Sequence, residues 1–401
     1  EDNGFECVML DYLLDSDKQE LRVKGLRFIL ECVISAFTQE REQAFSRRAA
    51  DWEKKIAELS PDRVYLDAQC ALRTALYHKL EIPVVLVETM PLSLYDPWVP
   101  PFTSGLIPKQ TGISRLGIRL AWEKIVIARK IRNLFFSMLL CRQDYFSLYK
   151  RLFLECGFPF EEKIDWRRPF IIGIKESKIL SMNPSSLDFP RKYPPNCQYA
   201  PSRVDLNRED PMLNRRYARV MEEVCLQKQQ RPDTKIIYCF SSTVMGFEKR
   251  SKIIFMKIRD ICLRNPQFVF ILSVGKYHNT SYLLPCPSNL YVFQQVPQLH
   301  LLSYCDLMIT SGGMNSIAEC IEKEVPMLVC PLSLKSDQLG NSARVVYHGL
   351  GLRARIKLDS SRTIEKRIVQ LFENYATFKR NLSMMRTKIL AESTAINTEV
   401  I

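Results

Sequence analysis

A glycine-containing turn in the C-terminal half has the residue types and spacing of an anion-binding site. Residues 307–319 predict a buried strand, a tight turn and then a helix that begins at about residues 315–316. Gly312 and Gly313 permit positive φ angles and a close approach of the backbone. The free N–H groups and positive dipole end of the helix would point into the turn, an arrangement that binds diphosphates. A generic loop between a strand and a helix has a similar composition, so the turn alone is weak evidence.

Two further polar segments accompany this turn. Asp337 and Gln338 follow the next predicted strand, and a carboxylate beside an amide can bind several hydroxyls of one sugar. The alternative is that Asp337 only caps the helix beginning at Gln338. Upstream, Val296, Pro297 and Gln298 follow another strand and form either a stiff turn that exposes backbone groups or an ordinary loop.

Alternating strands and helices would position these segments. Short apolar runs in the C-terminal half predict five strands, with helical patterns between them. Such an order of continuously apolar strands is typical of a parallel sheet covered on both faces, the α/β class. The predicted strands are residues 236–240, 268–274, 290–296, 307–310 and 327–329, and the predicted helices are residues 247–264, 316–324 and 336–347.

The N-terminal half shows the same alternation less regularly. Residues 5–10, 64–66 and 84–87 predict strands, and residues 68–79 predict a helix. A long stretch at residues 115–142 carries seven Arg or Lys and one acid. It predicts either a helix packed on the sheet with a solvated basic face, or a surface that contacts an anionic membrane or receives an apolar substrate.

Composition limits the class of protein. The 401 residues are 46% hydrophobic and 25% charged, which argues against disorder, and no apolar run is long enough to span a membrane. The first residues do not resemble a signal peptide, and thirteen scattered cysteines fit free thiols in a reducing compartment, so we predict a cytoplasmic location. Four widely separated histidines argue against a histidine-rich metal site.

The net charge and one segment rich in Pro, Asn and Arg give further expectations. The net charge of +13 favours an anionic partner such as nucleic acid, acidic lipid or a phosphorylated metabolite, or it reflects only a solvated basic surface. Residues 190–211 are rich in Pro, Asn and Arg, so we predict a domain boundary near residue 205. The predicted divisions are residues 1–205, residues 206–385 and a C-terminal tail at residues 386–401.

The polar segments, taken in order, resemble the donor-binding region of the UDP-dependent glycosyltransferases, the inverting superfamily that includes plant natural-product, bacterial macrolide and glucuronosyl transferases. The resemblance covers residues 291–352 and includes Glu319, Asn341 and the Gly349-Leu-Gly351 segment. It implies the GT-B fold, with two Rossmann-like parallel-sheet domains facing across a cleft. The first domain would bind the acceptor and the second the donor. It further implies no metal and no cofactor beyond the UDP-sugar, which is a co-substrate.

The resemblance also assigns roles to individual residues. Pro297 and Gln298 would frame the uracil through backbone contacts, and Glu319 would bind the ribose hydroxyls. Asp337 and Gln338 would bind hydroxyls of the transferred sugar. The residues that would hold the diphosphate are Ser311, Gly312, Asn315 and Ser316 in the glycine turn, and Ser242 and Thr243 after the first strand of the second domain.

Two departures from the family pattern concern the chemistry. Ser311 stands where the family has a phosphate-contacting histidine, and a hydroxyl supplies a hydrogen bond but no positive charge. The family's catalytic histidine follows its first strand, whereas this chain is expected to begin at the third strand, with about one βα unit and a strand missing at the N-terminus. Asp67 stands where the acid that orients that histidine is expected; alternatively, it is a solvated carboxylate at a strand end.

The leading hypothesis is therefore a transferase that moves a hexose, glucose being favoured, from a UDP-sugar to a hydroxyl of a small hydrophobic or lipid acceptor. The reaction would proceed with inversion, without nucleic acid as a partner and with peripheral contact to an anionic membrane. The N-terminally incomplete chain is expected to be inactive by itself. The alternatives are a non-catalytic nucleotide-sugar-binding protein and a sugar-nucleotide epimerase of the same fold, which lacks the segment at Asp337 and Gln338.

Overall fold

The computed structural model describes residues 17–170, 172–192, 194–201, 204–208, 215–240, 248–275 and 279–394. The strand predicted at residues 5–10 lies outside the described residues, as do Ser242 and Thr243. The chain forms two compact units, described separately below. The first consists of Glu1–Thr89, Arg119–Leu180 and Tyr193–Gln198, and the second of Met90–Ile118, Ser181–Lys192 and Tyr199–Ile401.

From residue 17 onward, three helices precede the first of several short strands. The elements up to residue 199 are α1 (Asp17–Lys24), α2 (Leu26–Thr38), α3 (Glu40–Leu59), β1 (Val64–Asp67), α4 (Thr74–Lys79), β2 (Val84–Glu88), α5 (Gly112–Leu139), α6 (Tyr145–Glu155), α7 (Phe160–Lys163), β3 (Ile164–Asp165), β4 (Gly173–Ile174), β5 (Lys178–Ser181) and β6 (Cys197–Tyr199).

The first unit contains a four-stranded sheet in the order β1-β2-β5-β6. β1 and β2 are parallel, with Val64 opposite Val84 and Asp67 opposite Val87. Aromatic side chains of α3 and α6 pack in the core of this unit, including the buried Trp52, Tyr149 and Phe153. The helix predicted at residues 68–79 begins as a 3-10 turn over Ala68–Arg73, in which the Asp67 carboxylate accepts a hydrogen bond from the Gln69 amide.

Strands and helices alternate regularly in the second unit. Its elements from residue 215 onward are α8 (Arg215–Gln230), β7 (Lys235–Phe240), α9 (Glu248–Arg264), β8 (Phe268–Ser273), β9 (Leu290–Phe293), α10 (Gln298–Leu302), β10 (Leu307–Thr310), α11 (Met314–Glu322), β11 (Met327–Val329), α12 (Gln338–Tyr347), β12 (Gly351–Arg353), α13 (Ser361–Glu373) and α14 (Tyr375–Thr394).

These strands form a six-stranded parallel sheet in the order β12-β11-β10-β7-β8-β9. Every residue of β8 and β10 is buried, and large apolar clusters cover both faces of the sheet. From β7 the chain builds outward to β8 and β9 on one side and then to β10, β11 and β12 on the other. The carboxyl ends of β7 and β10 therefore flank the point where the strand order reverses, which is where open α/β sheets bind ligands.

The structure confirms the predicted α/β class and the parallel sheet. All five strands predicted in the C-terminal half are present, and two have the predicted bounds. β12 was missed because Gly351-Leu352-Arg353 is short and contains a charge; it is recognisable as a strand only through its pairing with β11. The long helix predicted at residues 115–142 is present as α5, and within the described ranges no helix is both long and apolar enough to cross a membrane.

The compact units differ from the division predicted near residue 205. Residues 90–118 and 181–192, which that division assigns to the first domain, group with the second unit. A Cβ on Gly340 in α12 would lie 2.1 Å from the carbonyl oxygen of Phe102, so only glycine permits this close contact. The segment predicted as a tail from residue 386 remains helical as far as Thr394.

Candidate functional site

The predicted anion-binding turn lies between β10 and α11. Gly312 has a φ of +89°, and a Cβ there would lie 2.7 Å from a methyl carbon of Val329, so both conformation and space require glycine. The hydroxyl of Thr310 accepts a hydrogen bond from the Gly312 amide at 3.2 Å. Ser311 is buried at the head of the turn. The backbone is thus fixed in the shape that directs the first N–H groups of α11 into the turn.

α11 begins at Met314, one or two residues earlier than predicted. Gly313 occupies the N-cap position and has no side chain, so no capping side chain uses the first amides of the helix. Ser316, two residues into the helix, is buried, whereas Asn315 is exposed. A nine-residue helix with an uncapped N-terminus at the end of a buried strand has the geometry that attracts an anion.

Glu319 lies at the centre of a hydrogen-bond network in the same helix. The amide nitrogen of Gln298 donates to Glu319 Oε2 at 2.7 Å and approaches Ser316 Oγ at 3.3 Å. The hydroxyl of Tyr238, at the middle of β7, donates to Gln298 Oε1 at 3.0 Å. Three of the predicted site residues therefore meet on one side of α11, although Gln298 is 18 residues from Ser316 and 21 residues from Glu319 in the sequence.

The other oxygen of Glu319 has a cationic partner that the sequence did not reveal. Arg208 Nη1 lies 3.1 Å from Glu319 Oε1, while Glu319 itself is almost fully buried. Arg208 belongs to the segment rich in Pro, Asn and Arg, and no pattern there singles it out from its neighbours. Both carboxylate oxygens of Glu319 are thus occupied, and a ribose would have to share or replace one of these partners.

Asp337 is joined to the glycine turn through Asn341. Asn341 Nδ2 donates to Asp337 Oδ2 at 2.8 Å and to the carbonyl oxygen of Gly312 at 2.9 Å. The Asp337 side chain forms no capping hydrogen bond with α12, although the residue occupies the N-cap position. Burial is the main cause that raises the pKa of Asp337 above its usual value. A carboxylate held in a partly dry position by a neighbouring amide can accept hydrogen bonds from a polyol.

Gln338 fixes a loop of the second unit, a role separate from the sugar contact that was predicted for it. Its Oε1 accepts hydrogen bonds from the backbone amides of Leu332 and Ser333, both at 2.8 Å. The side chain therefore fixes the loop that follows β11 and leaves its amide nitrogen as the group that could donate to a sugar hydroxyl. The predicted role of Gln338 can involve only this nitrogen while the loop keeps its conformation.

Asn341 itself is a residue whose role the sequence analysis missed. It is 1% exposed, and its Oδ1 has no hydrogen-bond partner among the described residues. Buried polar atoms are nearly always paired with protein, water or ligand. Its spacing from Asp337 could have indicated their contact, because residues four positions apart on a helix lie on the same face.

The remaining predicted residues are placed as follows. Pro297 is buried and forms the N-cap of α10, which places Gln298 at the first position of that helix. Asp67 is exposed at the end of β1 in the first unit and caps the following 3-10 turn. Of the histidines that the structure describes, His300 contacts the hydroxyl of Tyr217, and His348 contacts backbone oxygens of Leu187 and Asp188.

Comparison with solved structures gives the class of fold. The glycotransferase of kitacinnamycin has a TM-score of 0.57 and 19% sequence identity, over 88% of this chain and 79% of that one. CalG4, the calicheamicin glycosyltransferase, has a TM-score of 0.55 and 15% identity, over 94% of this chain and 80% of that one. At these identities the similarity is one of fold, and the fold is that of the GT-B glycosyltransferases.

Sequence comparison finds a family similarity in the C-terminal part of the chain. Residues 279–391 match the family model for UDP-glucoronosyl and UDP-glucosyl transferase. NDP-glycosyltransferase YjiC of Bacillus subtilis (strain 168) is 37% identical over 98 residues, 24% of each protein. Zeaxanthin glucosyltransferase of Pantoea ananas is 34% identical over 101 residues, 25% of this chain and 22% of that protein. The matches thus span about a quarter of the length of these relatives. The similarity to UDP-glucoronosyl and UDP-glucosyl transferases therefore holds for residues 279–391, which lie in the second unit.

Proposed function

We propose that the protein is an inverting, metal-independent glycosyltransferase that moves a hexose, glucose being favoured, from a UDP-sugar to a hydroxyl of a small hydrophobic acceptor. The observation that carries this proposal is the convergence of two polar groups on the turn after β10. Gln298, Ser316 and Glu319 form one group, and Asp337 with Asn341 forms the other. The first group would bind the ribose, and the second would bind the transferred sugar.

The turn between these groups would bind the diphosphate. As the bond between the anomeric carbon and the UDP oxygen breaks, negative charge develops on the diphosphate. The uncapped amides of α11 and the Ser311 hydroxyl would stabilise that charge through hydrogen bonds. The acceptor oxygen attacks the anomeric carbon in line as UDP departs, which inverts the configuration, and its proton passes to a base. In the family pattern this base is a histidine, and Asp67 is the proposed residue that orients it.

Calorimetric titration of the chain with UDP, with ADP as the control nucleotide, tests the donor site directly. We expect selective binding of UDP, and Glu319→Gln should weaken it by about 1–3 kcal/mol through the loss of ribose hydrogen bonds in a buried position. Glu373→Gln, an exposed glutamate of α13, is the matched control and should bind UDP like the unaltered chain. An unchanged affinity in Glu319→Gln would remove Glu319 from the site.

The transfer reaction needs a second assay. Labelled UDP-glucose and a set of hydroxylated apolar acceptors would give a glucoside, and the configuration of its anomeric carbon would report inversion or retention. Retained configuration would overturn the proposed mechanism. UDP binding without transfer to any acceptor would agree both with the non-catalytic alternative and with the expectation that this chain is inactive by itself.

The thiols support a cytoplasmic location. Ten of the described cysteines are free thiols, and six of these ten are buried. Burial raises the pKa of Cys330 to about 12, so this thiol stays protonated and unreactive near neutral pH. Free thiols in such number are typical of proteins in a reducing compartment. Fractionation of cells expressing the tagged protein would test the location.

The outer face of two helices in the first unit supports contact with an anionic membrane. Trp122 and Arg129 of α5 are buried, and Arg129 donates to the carbonyl oxygen of Trp166 at 2.7 Å. The opposite side of α5 carries an apolar stripe with helical spacing. The exposed members of this stripe are Leu120, Ile127, Ile131, Leu134 and Met138. α2 carries a similar exposed stripe, formed by Leu26, Leu30, Ile34 and Phe37.

Basic side chains flank this apolar face. Lys124 and Lys130 of α5 are exposed, and they would complement acidic lipid headgroups. Helices with an apolar face and basic flanks lie in the interface of anionic bilayers. An anionic membrane is therefore the occupant that the charge distribution favours, and it would bring the protein close to apolar acceptors.

Co-sedimentation with vesicles tests this contact. We expect binding to vesicles that contain phosphatidylserine and weaker binding to vesicles of phosphatidylcholine alone. The double variant Ile131→Asn, Leu134→Asn should lose the binding, whereas Leu154→Asn, an exposed apolar position on α6, should retain it. A concentration-dependent dimer that the same double variant abolishes would show that a second copy covers this face, and the membrane proposal would be wrong.

A further inference from the structure

We propose that the second unit contains a further anion-binding pocket, separate from the glycine turn, for a small molecule with a phosphate or carboxylate head and an apolar body. The pocket lies beyond the carboxyl ends of β11 and β12, where Pro331 and Arg353 contribute to its wall. Its volume is about 470 Å³, within the range of small-molecule sites. Ser311, Glu319 and Asp337 are not among its lining residues.

Positive charge dominates the lining. Five cationic side chains contribute to it, and among the described residues the acid paired with them is Asp359, which forms a hydrogen bond with Arg367 and lies 3.8 Å from Arg355. Because one carboxylate cannot neutralise five cations, the described part of the lining has a surplus of positive charge. The cations are Arg250, Arg353, Arg355, Lys357 and Arg367.

Arg353 is the member whose environment points most directly to a ligand. It is partly buried, and Nη1 donates to the carbonyl oxygen of Gly105 at 2.6 Å. The structure gives it no carboxylate partner within the described residues. Burial, followed by repulsion from Arg355 and Arg367, lowers its pKa. A guanidinium has five N–H donors, so an anion in the pocket would bind the remaining donors and relieve this repulsion.

Several other lining residues are apolar, and they indicate a ligand with an apolar body. Leu334 and Leu358 are 59% and 72% exposed at the pocket, which is a large exposure for leucine side chains. Leu339, Ile356 and Pro331 add further apolar surface. Inorganic phosphate would meet only the cations, whereas an anion with an apolar body would also cover these side chains and gain the free energy of their burial.

Fluorescence titration with three probes tests the pocket. 1-Naphthyl phosphate carries both features, inorganic phosphate carries the head alone, and 1-naphthol carries the body alone. We expect 1-naphthyl phosphate to bind most tightly. Arg353→Gln should weaken its binding about tenfold or more through the loss of a charge-assisted hydrogen bond. Arg353→Lys, which keeps the charge, should retain part of the affinity and guards against a merely misfolded variant.

Matched variants separate this pocket from the donor site. Arg362→Gln, an exposed arginine of α13 outside the lining, should bind 1-naphthyl phosphate normally. Arg353→Gln should still bind UDP, and Glu319→Gln should still bind 1-naphthyl phosphate. Competition between UDP and 1-naphthyl phosphate, or loss of 1-naphthyl phosphate binding in Glu319→Gln, would place the probe in the donor site and overturn the proposal. Equal binding of 1-naphthol and its phosphate would also overturn it.

A last arm identifies the source of the anion. Vesicles containing phosphatidic acid present the same head and body as part of a bilayer. If they displace 1-naphthyl phosphate from the unaltered chain, and Arg353→Gln binds the same vesicles less tightly than the unaltered chain does, the pocket receives a lipid headgroup. If they do not displace it, the pocket receives a soluble anionic molecule.

Discussion

The side-chain amide of Asn341 donates a hydrogen bond to the backbone carbonyl of Gly312 at 2.9 Å. This bond joins the N-terminus of α12 to the turn that precedes α11. The same nitrogen also donates to Asp337 at 2.8 Å, so one amide group positions both the proposed sugar-binding carboxylate and the proposed phosphate-binding turn. The distance between these two groups is therefore set by a buried side chain and not by a mobile loop.

Replacing Asn341 should destabilise the fold, because its side chain links Asp337 to the glycine turn. Asn341→Ala leaves the Gly312 carbonyl without this partner in a buried position, so we expect a loss of about 1–3 kcal/mol in the free energy of unfolding. Urea denaturation measures this loss. The control is Asn374→Ala, because Asn374 is exposed and its side-chain amide donates to the carbonyl oxygen of Gln370 in the adjoining helix α13. Equal effects of the two substitutions would contradict a special role for Asn341.

Arg208 should compete with the ribose for Glu319. Since the Arg208 side chain is 45% exposed, its ion pair with Glu319 contributes about 0.2–1 kcal/mol, and Arg208→Gln should raise the affinity for UDP by no more than about fivefold. Calorimetric titration of the variant beside the unaltered chain measures the change. A lower affinity would mean that Arg208 contacts the nucleotide itself.

The sequence predicted the second sheet well because its strands are continuous apolar runs. β10 and β11 have the predicted bounds, since Gly312 and Pro331 mark where their apolar runs end. β12 could not be predicted in this way, because Gly351-Leu352-Arg353 has no strand pattern and becomes a strand only by pairing with β11. The grouping of residues 90–118 with the second unit depends on contacts such as that between Phe102 and Gly340, which leave no local pattern.

Some contacts of the candidate site follow from the sequence, and others depend on the tertiary fold. Glu319 and Gln298 were predicted as parts of one site, and the structure places them 2.7 Å apart. Arg208 was not predicted, because its contact with Glu319 spans 111 residues and depends on the tertiary fold. The hydrogen bonds by which Gln338 fixes the loop after β11 were not predicted either. In the sequence, an amide beside a carboxylate is equally consistent with sugar binding and with a structural role.

Ser311→His should introduce positive charge at the phosphate-binding turn. Only the protonated imidazole would attract the diphosphate, and its ordinary pKa is about 6.5. We therefore expect UDP to bind the variant more tightly at a pH of about 6 than at a pH of about 8, with a smaller pH effect in the unaltered chain. Calorimetry at both pH values measures the difference. Identical pH dependence in the two proteins would show that residue 311 does not contact the diphosphate.

Asp337→Asn should stabilise the fold near neutral pH while weakening the binding of the sugar. Burial raises the pKa of Asp337, so the folded protein binds this proton more tightly than the unfolded chain does. The charged carboxylate therefore destabilises the fold above its folded pKa. The penalty shrinks as the pH falls through that value and is gone below the ordinary Asp pKa. The gain in thermal stability of the variant should shrink on acidification. UDP affinity should stay unchanged and UDP-glucose affinity should fall; a loss of both would place Asp337 at the nucleotide.

The ion pair between Asp188 and Arg344 should control the acid sensitivity of the second unit. Arg344 Nε lies 3.0 Å from Asp188 Oδ1, and Arg191 Nε lies 3.0 Å from Oδ2, with all three side chains buried. Burial by itself would raise the pKa of Asp188, but the attraction of Arg344 and Arg191 outweighs it and holds the pKa below its ordinary value. This carboxylate therefore adds stability above a pH of about 4, the ordinary Asp value, and the contribution is lost as the pH falls through the folded pKa.

Removing that charge leaves Arg344 and Arg191 buried without their partner. Asp188→Asn should therefore lower the free energy of unfolding at neutral pH by about 3–5 kcal/mol. The difference from the unaltered chain should narrow under acid conditions, where the unaltered Asp188 is protonated too. Asp233→Asn, an exposed aspartate between α8 and β7, is the control and should change stability little at any pH. Urea denaturation at several pH values makes the comparison, and a pH-independent loss in Asp188→Asn would show that shape or packing, and not charge, accounts for the effect.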